Sequence, residues 1–178
     1  MWYSWTGATQ DKNVHISATR RNQTRASNCF PALLDPHVRP GRESLYPQNL
    51  RPTQMLSLWR YFLKNVHPLV KIFFDWEIEP MISRASADCM TLTDGEQALL
   101  SSIYLLTTLS LSEDDCVSLL YGSKASFLDK FQAAAEDALI GADFIATSDR
   151  IVLQAFILYI VSTDTLSRTN SLDPNDRH

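Results

Sequence analysis

The sequence LWRYFLKNVHPLVKIFF, residues 58–74, carries the clearest structural pattern in the chain. Apolar residues recur there at helical intervals of three and four, which places them on one face of a helix: Met55, Leu58, Trp59, Phe62, Leu63 and Val66. Pro68 has no amide hydrogen to donate, and it moves His67 out of the α region. We therefore predict a helix that starts near Pro52 and ends or kinks at His67, followed by a short apolar segment over 69–74. We expect other helices to wrap around this element.

The rest of the chain shows helical signals and no strand alternation. A Thr93-Asp-Gly-Glu96 segment has the form of a capping box, and Ser112 and Ser123 are candidate caps for two further helices. Thr147 or Ser148 is the candidate cap of the last helix. The predicted helices after the bend span residues 77–87, 93–109, 112–122, 123–146 and 149–163. The sequence thus predicts an all-α domain of about six helices.

Composition indicates one globular domain between two polar ends. The 178 residues are 45% hydrophobic and 20% charged, which is enough for a sizeable core. We divide the chain into a polar, proline-punctuated leader (1–51) that is mostly extended, a helical domain (52–164) and a polar tail (165–178). Seven basic and three acidic side chains give the leader a net charge of +4, while the whole chain carries −4. This balance does not favour nucleic-acid binding by the chain as a whole.

The cysteines and the apolar runs point to a soluble intracellular protein. Cys29, Cys89 and Cys116 are widely spaced and form no C-x-x-C pair, so we expect buried free thiols and neither a disulfide framework nor a zinc site. The first residues lack the pattern of a signal peptide. The apolar run 151–161 is shorter than the ~20 residues that cross a bilayer, so we expect no membrane association.

Ten residues of the opening stretch match a longer pattern, L-W-x-x-[YF]-x-x-N-V-H-P-L-x-K-[IL]. The matching residues are Leu58, Trp59, Phe62, Asn65, Val66, His67, Pro68, Leu69, Lys71 and Ile72. The stretch resembles the opening signature of the fungal-specific transcription factor domain, the helical middle homology region of binuclear zinc cluster regulators. Residues 98–116 and 124–160 agree with that family in order and spacing, so the resemblance covers about 54–161.

The resemblance implies a nuclear, non-enzymatic regulator of transcription, often one of metabolic or secondary-metabolite gene clusters. Members usually carry a six-cysteine zinc cluster, whereas residues 1–51 contain only Cys29. We therefore expect no direct DNA binding by this chain, which looks like the first part of a regulatory domain. A truncated domain would leave the last helix partly uncovered. The candidate partner face comprises Ile151, Leu153, Phe156, Ile157 and Ile160, and we expect it to bind a protein partner or a second copy.

The other candidate groups have simpler structural interpretations. We expect His67 to cap carbonyls at the helix bend, and the acids 113–115 to stabilise a helix N-terminus. Those acids should disfavour the thiolate of Cys116. The sequence contains no recognisable catalytic, cofactor or metal motif, so we assign no catalytic, cofactor-binding or metal residue.

Two alternative functions remain open. The chain could be a general helical interaction module or a truncated remnant without regulatory activity, and a cytoplasmic location would then be compatible. It could also be a small-ligand binder or an enzyme with an apolar pocket among its helices.

Overall fold

The computed structural model describes residues 50–88 and 91–171, which form six α-helices and no β-strand. The helices are α1 (Pro52–Asn65), α2 (Asp75–Ala87), α3 (Asp94–Ser110), α4 (Glu113–Leu120), α5 (Lys124–Gly141) and α6 (Arg150–Ser171). The all-α prediction is confirmed. The predictions for the leader, for Cys29 and Cys89 and for the end of the tail lie outside the described residues.

The central helix of the bundle is α3. It packs against α1, α5 and α6, and its residues 98–108 are buried on every side. The expectation that other helices wrap around residues 58–74 is therefore wrong. Since α1 is amphipathic, it offers only one apolar face, whereas α3 offers an apolar surface all round.

Contacts at the helix ends show the directions of α5 and α6 relative to α3. A Cβ added to Gly141, the last residue of α5, would lie 3.1 Å from Oδ2 of Asp94, the first residue of α3. At the other end, Nζ of Lys124 donates to the carbonyl of Leu109 at 3.0 Å. Thus α5 runs antiparallel to α3. A Cβ on Gly95 would lie 2.8 Å from Cγ2 of Val152, so α3 and α6 begin at the same end of the bundle.

The predicted caps of α3, α4 and α5 are confirmed. The hydroxyl of Thr93 accepts the amide of Glu96 at 3.3 Å, and the Glu96 carboxylate accepts the amide of Thr93 at 3.0 Å. These reciprocal bonds satisfy two amides that the helix itself cannot. Ser112 and Ser123 accept amides of the first turns of α4 and α5 in the same manner.

Two helix ends differ from the prediction. Helix α4 ends at Leu120, two residues before the predicted end at Gly122. Tyr121 takes the left-handed conformation that was open to that glycine, with φ 59°. Gly122 is needed for space, because a Cβ there would lie 2.9 Å from Cε2 of Phe127. Helix α5 ends at Gly141, about five residues before the predicted end at Ala146.

Helix α6 begins and ends differently from the prediction. Its cap is Asp149, whose carboxylate accepts the amide of Ile151 at 2.9 Å. Thr147 instead accepts the amide of Asp149. The helix continues to Ser171, so the first seven residues of the predicted tail are helical.

The greater length of α6 also changes the argument about membranes. Among the described residues, α6 is the one helix with the length and composition to cross a bilayer, over Arg150–Thr169. The limit set by the run 151–161 therefore does not apply to the whole helix. Core helices of soluble proteins share both properties, and α6 packs along α3 with one buried side: Val152, Ala155, Leu158 and Tyr159.

Candidate interaction site

The first half of the signature stretch belongs to the core. Leu58, Trp59, Phe62 and Val66 are buried on the inner side of α1 and just after its end. The ring of Phe62 stacks on Trp59 at 5.6 Å and on Phe73 at 5.7 Å between centroids. These contacts close the bend that follows α1, because Phe73 lies after Pro68 and packs back on the helix before it.

His67 holds the bend by hydrogen bonding. Its Nε2 lies 3.2 Å from the carbonyl oxygen of Phe73 and 3.2 Å from Oδ1 of Asp75. Both neighbours are acceptors, so Nε2 carries a proton and donates to them. The interpretation of His67 as a carbonyl cap at the bend is confirmed, although its partner lies downstream of the bend.

Much of the second half of the signature stretch lies at the surface, although Phe73 is buried. Asn65 is half-buried, while Pro68 and Lys71 are exposed and Leu69 is 84% exposed. The segment 69–74 forms no helix, and Phe74 stacks on the exposed ring of Trp76 at 5.9 Å. The signature therefore combines a core half with a second half that is exposed except for Phe73 and its half-buried neighbours.

The candidate partner face lies only partly on the outer side of α6, because Ile151 and Phe156 pack against the core. Leu153 is 44% exposed and Ile157 is 46% exposed, whereas Ile151, Phe156 and Ile160 are half-buried. The ring of Phe156 packs on Phe144 with centroids 4.9 Å apart. The apolar run IVLQAFILYIV by itself predicts a helix buried nearly all round, and the exposure of Leu153 and Ile157 shows that this prediction is wrong for the outer side.

Charged residues continue the exposed side in both directions. We define the outer stripe of α6 as Arg150, Leu153, Ile157, Ile160 and Asp164. These residues are spaced by three, four, three and four, so they follow one line along the helix. Three apolar side chains thus lie between one basic and one acidic end.

The first turns of α6 contact residues 72–77, a contact that the sequence did not indicate. Nε2 of Gln154 donates to the carbonyl of Ile72 at 2.9 Å, and Nη1 of Arg150 lies 2.8 Å from Oε1 of Glu77. The amide of Phe74, together with Arg150, lowers the pKa of Glu77 below its ordinary value. The first turns of α6 are therefore fixed against residues 72–77.

The titratable groups elsewhere form no reactive cluster. Among the described residues, no group of three or more His, Cys, Asp or Glu side chains could hold a metal ion. Cys116 is fully buried, and this burial raises the pKa of its thiol. The positive charge of Lys124 lowers the same pKa, while the negative charges of Glu113 and Asp115 raise it further. The predicted disfavouring of the thiolate is confirmed, but its main cause is burial rather than the acids.

Comparison with curated proteins shows similarity to fungal transcription factors. The chain is 31% identical over 166 residues to the aurofusarin cluster transcription factor aurR2 of Gibberella zeae, covering 91% of this chain and 24% of that protein. It is 37% identical over 112 residues to the pyriculol/pyriculariol biosynthesis cluster transcription factor 1 of Pyricularia oryzae, covering 62% and 15%. It is 34% identical over 108 residues to the transcriptional regulator AacuB of Aspergillus aculeatus, covering 61% and 15%.

The similarity supports a fungal transcription factor family as the class of this chain, in agreement with the resemblance of residues 58–74. The chain spans about a quarter or less of the length of these relatives. No protein-family model matches it. No solved structure matches it either.

Proposed function

We propose that the chain is part of the helical regulatory domain of a fungal transcription factor and that it controls transcription of a biosynthetic gene cluster in the nucleus. The observation that carries this proposal is the 31% identity to aurR2 over 91% of the chain. Two of the three relatives described above are named for a biosynthetic cluster. The aligned range covers 91% of the chain and therefore includes residues 58–66, the core half of the signature stretch.

The proposed mode of action is protein contact through the outer stripe of α6. Leu153 and Ile157 are each nearly half exposed, although the opposite side of the same helix is packed. Exposed apolar side chains next to one another favour association with another apolar surface. The hydrogen bond from Gln154 to the carbonyl of Ile72 supports the position of α6 from its buried side, which leaves this stripe facing outward.

Transcript profiling tests the proposal. The full chain is expressed in a fungal host, and transcripts are compared with those of the same host without it. We expect the transcripts of a biosynthetic gene cluster to change together, and a fluorescent fusion to accumulate in the nucleus. Unchanged cluster transcripts, or a fusion confined to the cytoplasm, would contradict the proposal and favour the interaction-module alternative.

A matched pair of variants tests the mode of action. Ile157→Lys places a charge in the outer stripe, and Val117→Lys places the same charge on α4, where Val117 is 51% exposed. We expect Ile157→Lys to abolish the transcript change and Val117→Lys to preserve it. Equal behaviour of the two variants would exclude the outer stripe as the contact surface.

A further inference from the structure

We propose that the outer stripe of α6 binds the same stripe of a second copy of the chain, with the two helices antiparallel. This inference rests on the proposed function, because it identifies the partner of the surface to which that function is assigned.

The spacing of the stripe suits helix pairing. Alternating intervals of three and four residues are the a and d positions of a heptad repeat, the pattern with which two helices pack along a shared seam. Leu153, Ile157 and Ile160 fill three consecutive positions of this seam, and two of them are nearly half exposed. A second helix laid along the stripe would therefore meet apolar side chains at successive turns.

The charges at the two ends are complementary to each other. Arg150 and Asp164 are 14 residues apart, or about 21 Å along the helix, with Ile157 midway between them. A two-fold axis at Ile157 brings each Arg150 beside the Asp164 of the other copy. A parallel pair would instead place arginine beside arginine and aspartate beside aspartate, so the charges select the antiparallel arrangement.

The existing ion pairs of these two residues allow the exchange. Arg150 pairs with Glu77 at 2.8 Å, and Asp164 pairs with Arg168 at 2.9 Å. The side chains of Arg150 and Asp164 are 66% and 59% exposed, and ion pairs so exposed are weak in water. Both residues can therefore add a contact to a second copy, or exchange one, at little cost.

Sedimentation velocity of the full chain over a concentration series tests the proposal. We expect a reversible monomer–dimer equilibrium. Arg150→Glu and Asp164→Arg should each weaken dimerisation by about tenfold, since the two-fold axis applies every change twice. The double variant restores opposite charges across the interface, so its dissociation constant should return to near that of the unmodified chain.

Controls separate dimerisation from folding. Circular dichroism of each variant should show unchanged helix content. Ile157→Lys should give monomer, because it brings two ammonium groups together at the two-fold axis, and Val117→Lys should dimerise normally. Three results would overturn the proposal: a monomer at every concentration, a dimer insensitive to Ile157→Lys, or a double variant that dimerises as weakly as the single variants. The stripe would then not bind a second copy of the chain.

Sedimentation also separates this inference from the proposed function. It requires no transcription, so a dimer that changes no transcript would exclude the proposed function and leave the pairing intact. A chain that stays monomeric and still changes cluster transcripts would exclude the pairing and leave the proposed function intact.

Discussion

Helices α3 and α6 are similar in composition, but they differ in how they are covered. Both are rich in leucine and isoleucine, and both bury hydroxyl side chains: serine and threonine in α3, and Ser162 in α6. Helix α3 lies between α1, α5 and α6, whereas α6 packs mainly on α3 and more lightly on α5. Helix α3, with three packed neighbours, is therefore buried all round over residues 98–108, whereas α6, which packs mainly on α3, keeps one exposed side.

Two buried threonines of α3 and one buried serine of α6 satisfy their hydroxyls within their own helix. The hydroxyl of Thr107 donates to the carbonyl of Ile103 at 2.7 Å, and that of Thr108 donates to Tyr104 at 2.8 Å. Ser162 in α6 donates to Leu158 at 2.8 Å. Such bonds within a helix satisfy the hydroxyl and lower the cost of burying it.

The largest effect is expected in α3. Leu99 is fully buried, so Leu99→Ala removes apolar contacts and leaves a cavity. We expect a loss of about 3 kcal/mol in the free energy of unfolding, measured by urea denaturation. If this variant does not fold, Leu99→Met keeps most of the volume and should lose less than about 1.5 kcal/mol. A negligible loss in both would show that α3 is not the centre of the fold.

The central position of α3 could not be predicted because a helix buried all round has no polar side and therefore no amphipathic pattern. The sequence instead favoured residues 58–74, where the apolar spacing is clear. Local signals were more reliable, since the caps at Thr93, Ser112 and Ser123 depend only on neighbouring residues. The end of α4 shows the limit of such signals, because Tyr121 and not Gly122 takes the left-handed conformation. A side chain at Gly122 would instead meet the ring of Phe127.

The contact between α3 and α6 provides the second test. A Cβ on Gly95 would lie 2.8 Å from Cγ2 of Val152, which is closer than real Cβ contacts allow. We expect Gly95→Ala to cost about 1–3 kcal/mol in the free energy of unfolding through overpacking. Val152→Ala removes the opposing methyl groups, so the double variant should lose less than the sum of the single losses. Additive losses would show that the helices are not in close contact at this point.

The capping box predicts a pH dependence. Burial alone would raise the pKa of Glu96, but its hydrogen bonds with the Thr93 amide and Arg84 lower the pKa below its ordinary value of 4.5. A carboxylate with a lowered folded pKa stabilises the fold fully above the unfolded pKa, and this contribution is lost as pH falls through the folded pKa. Stability should therefore decline as the pH falls below about 4.5.

Glu96→Gln isolates this contribution. We expect the variant to lose about 1 kcal/mol at pH 7, the usual size of a helix cap, and to differ less from the unmodified chain in strong acid. The measurement is urea denaturation at a series of pH values, with Glu79→Gln on the exposed side of α2 as the control. A difference that stays constant with pH would contradict the role of the Glu96 carboxylate.

The candidate site was predictable in part. The apolar run 151–161 predicted burial nearly all round, whereas the exposed face was expected from the truncated family domain; Leu153 and Ile157 lie on that exposed side. The attachment of α6 to the signature stretch was not predictable, because Gln154 is 82 residues from Ile72, and no local pattern indicates such a contact. The acidic end of the stripe could not be predicted either, because the predicted helix ended at residue 163 and α6 extends past Asp164.

The smallest effect is expected for Leu153→Ala, which is the same chemical change as Leu99→Ala in the other helix of the comparison. Because Leu153 is 44% exposed, the substitution removes few buried contacts, and alanine is a slightly better helix former than leucine. We expect a change within about 0.5 kcal/mol in the free energy of unfolding. The measurement must be made at protein concentrations where the chain is monomeric, since dimerisation would add to its stability. A loss as large as that of Leu99→Ala would mean that the outer side of α6 is packed within the folded monomer and is not available to a second copy.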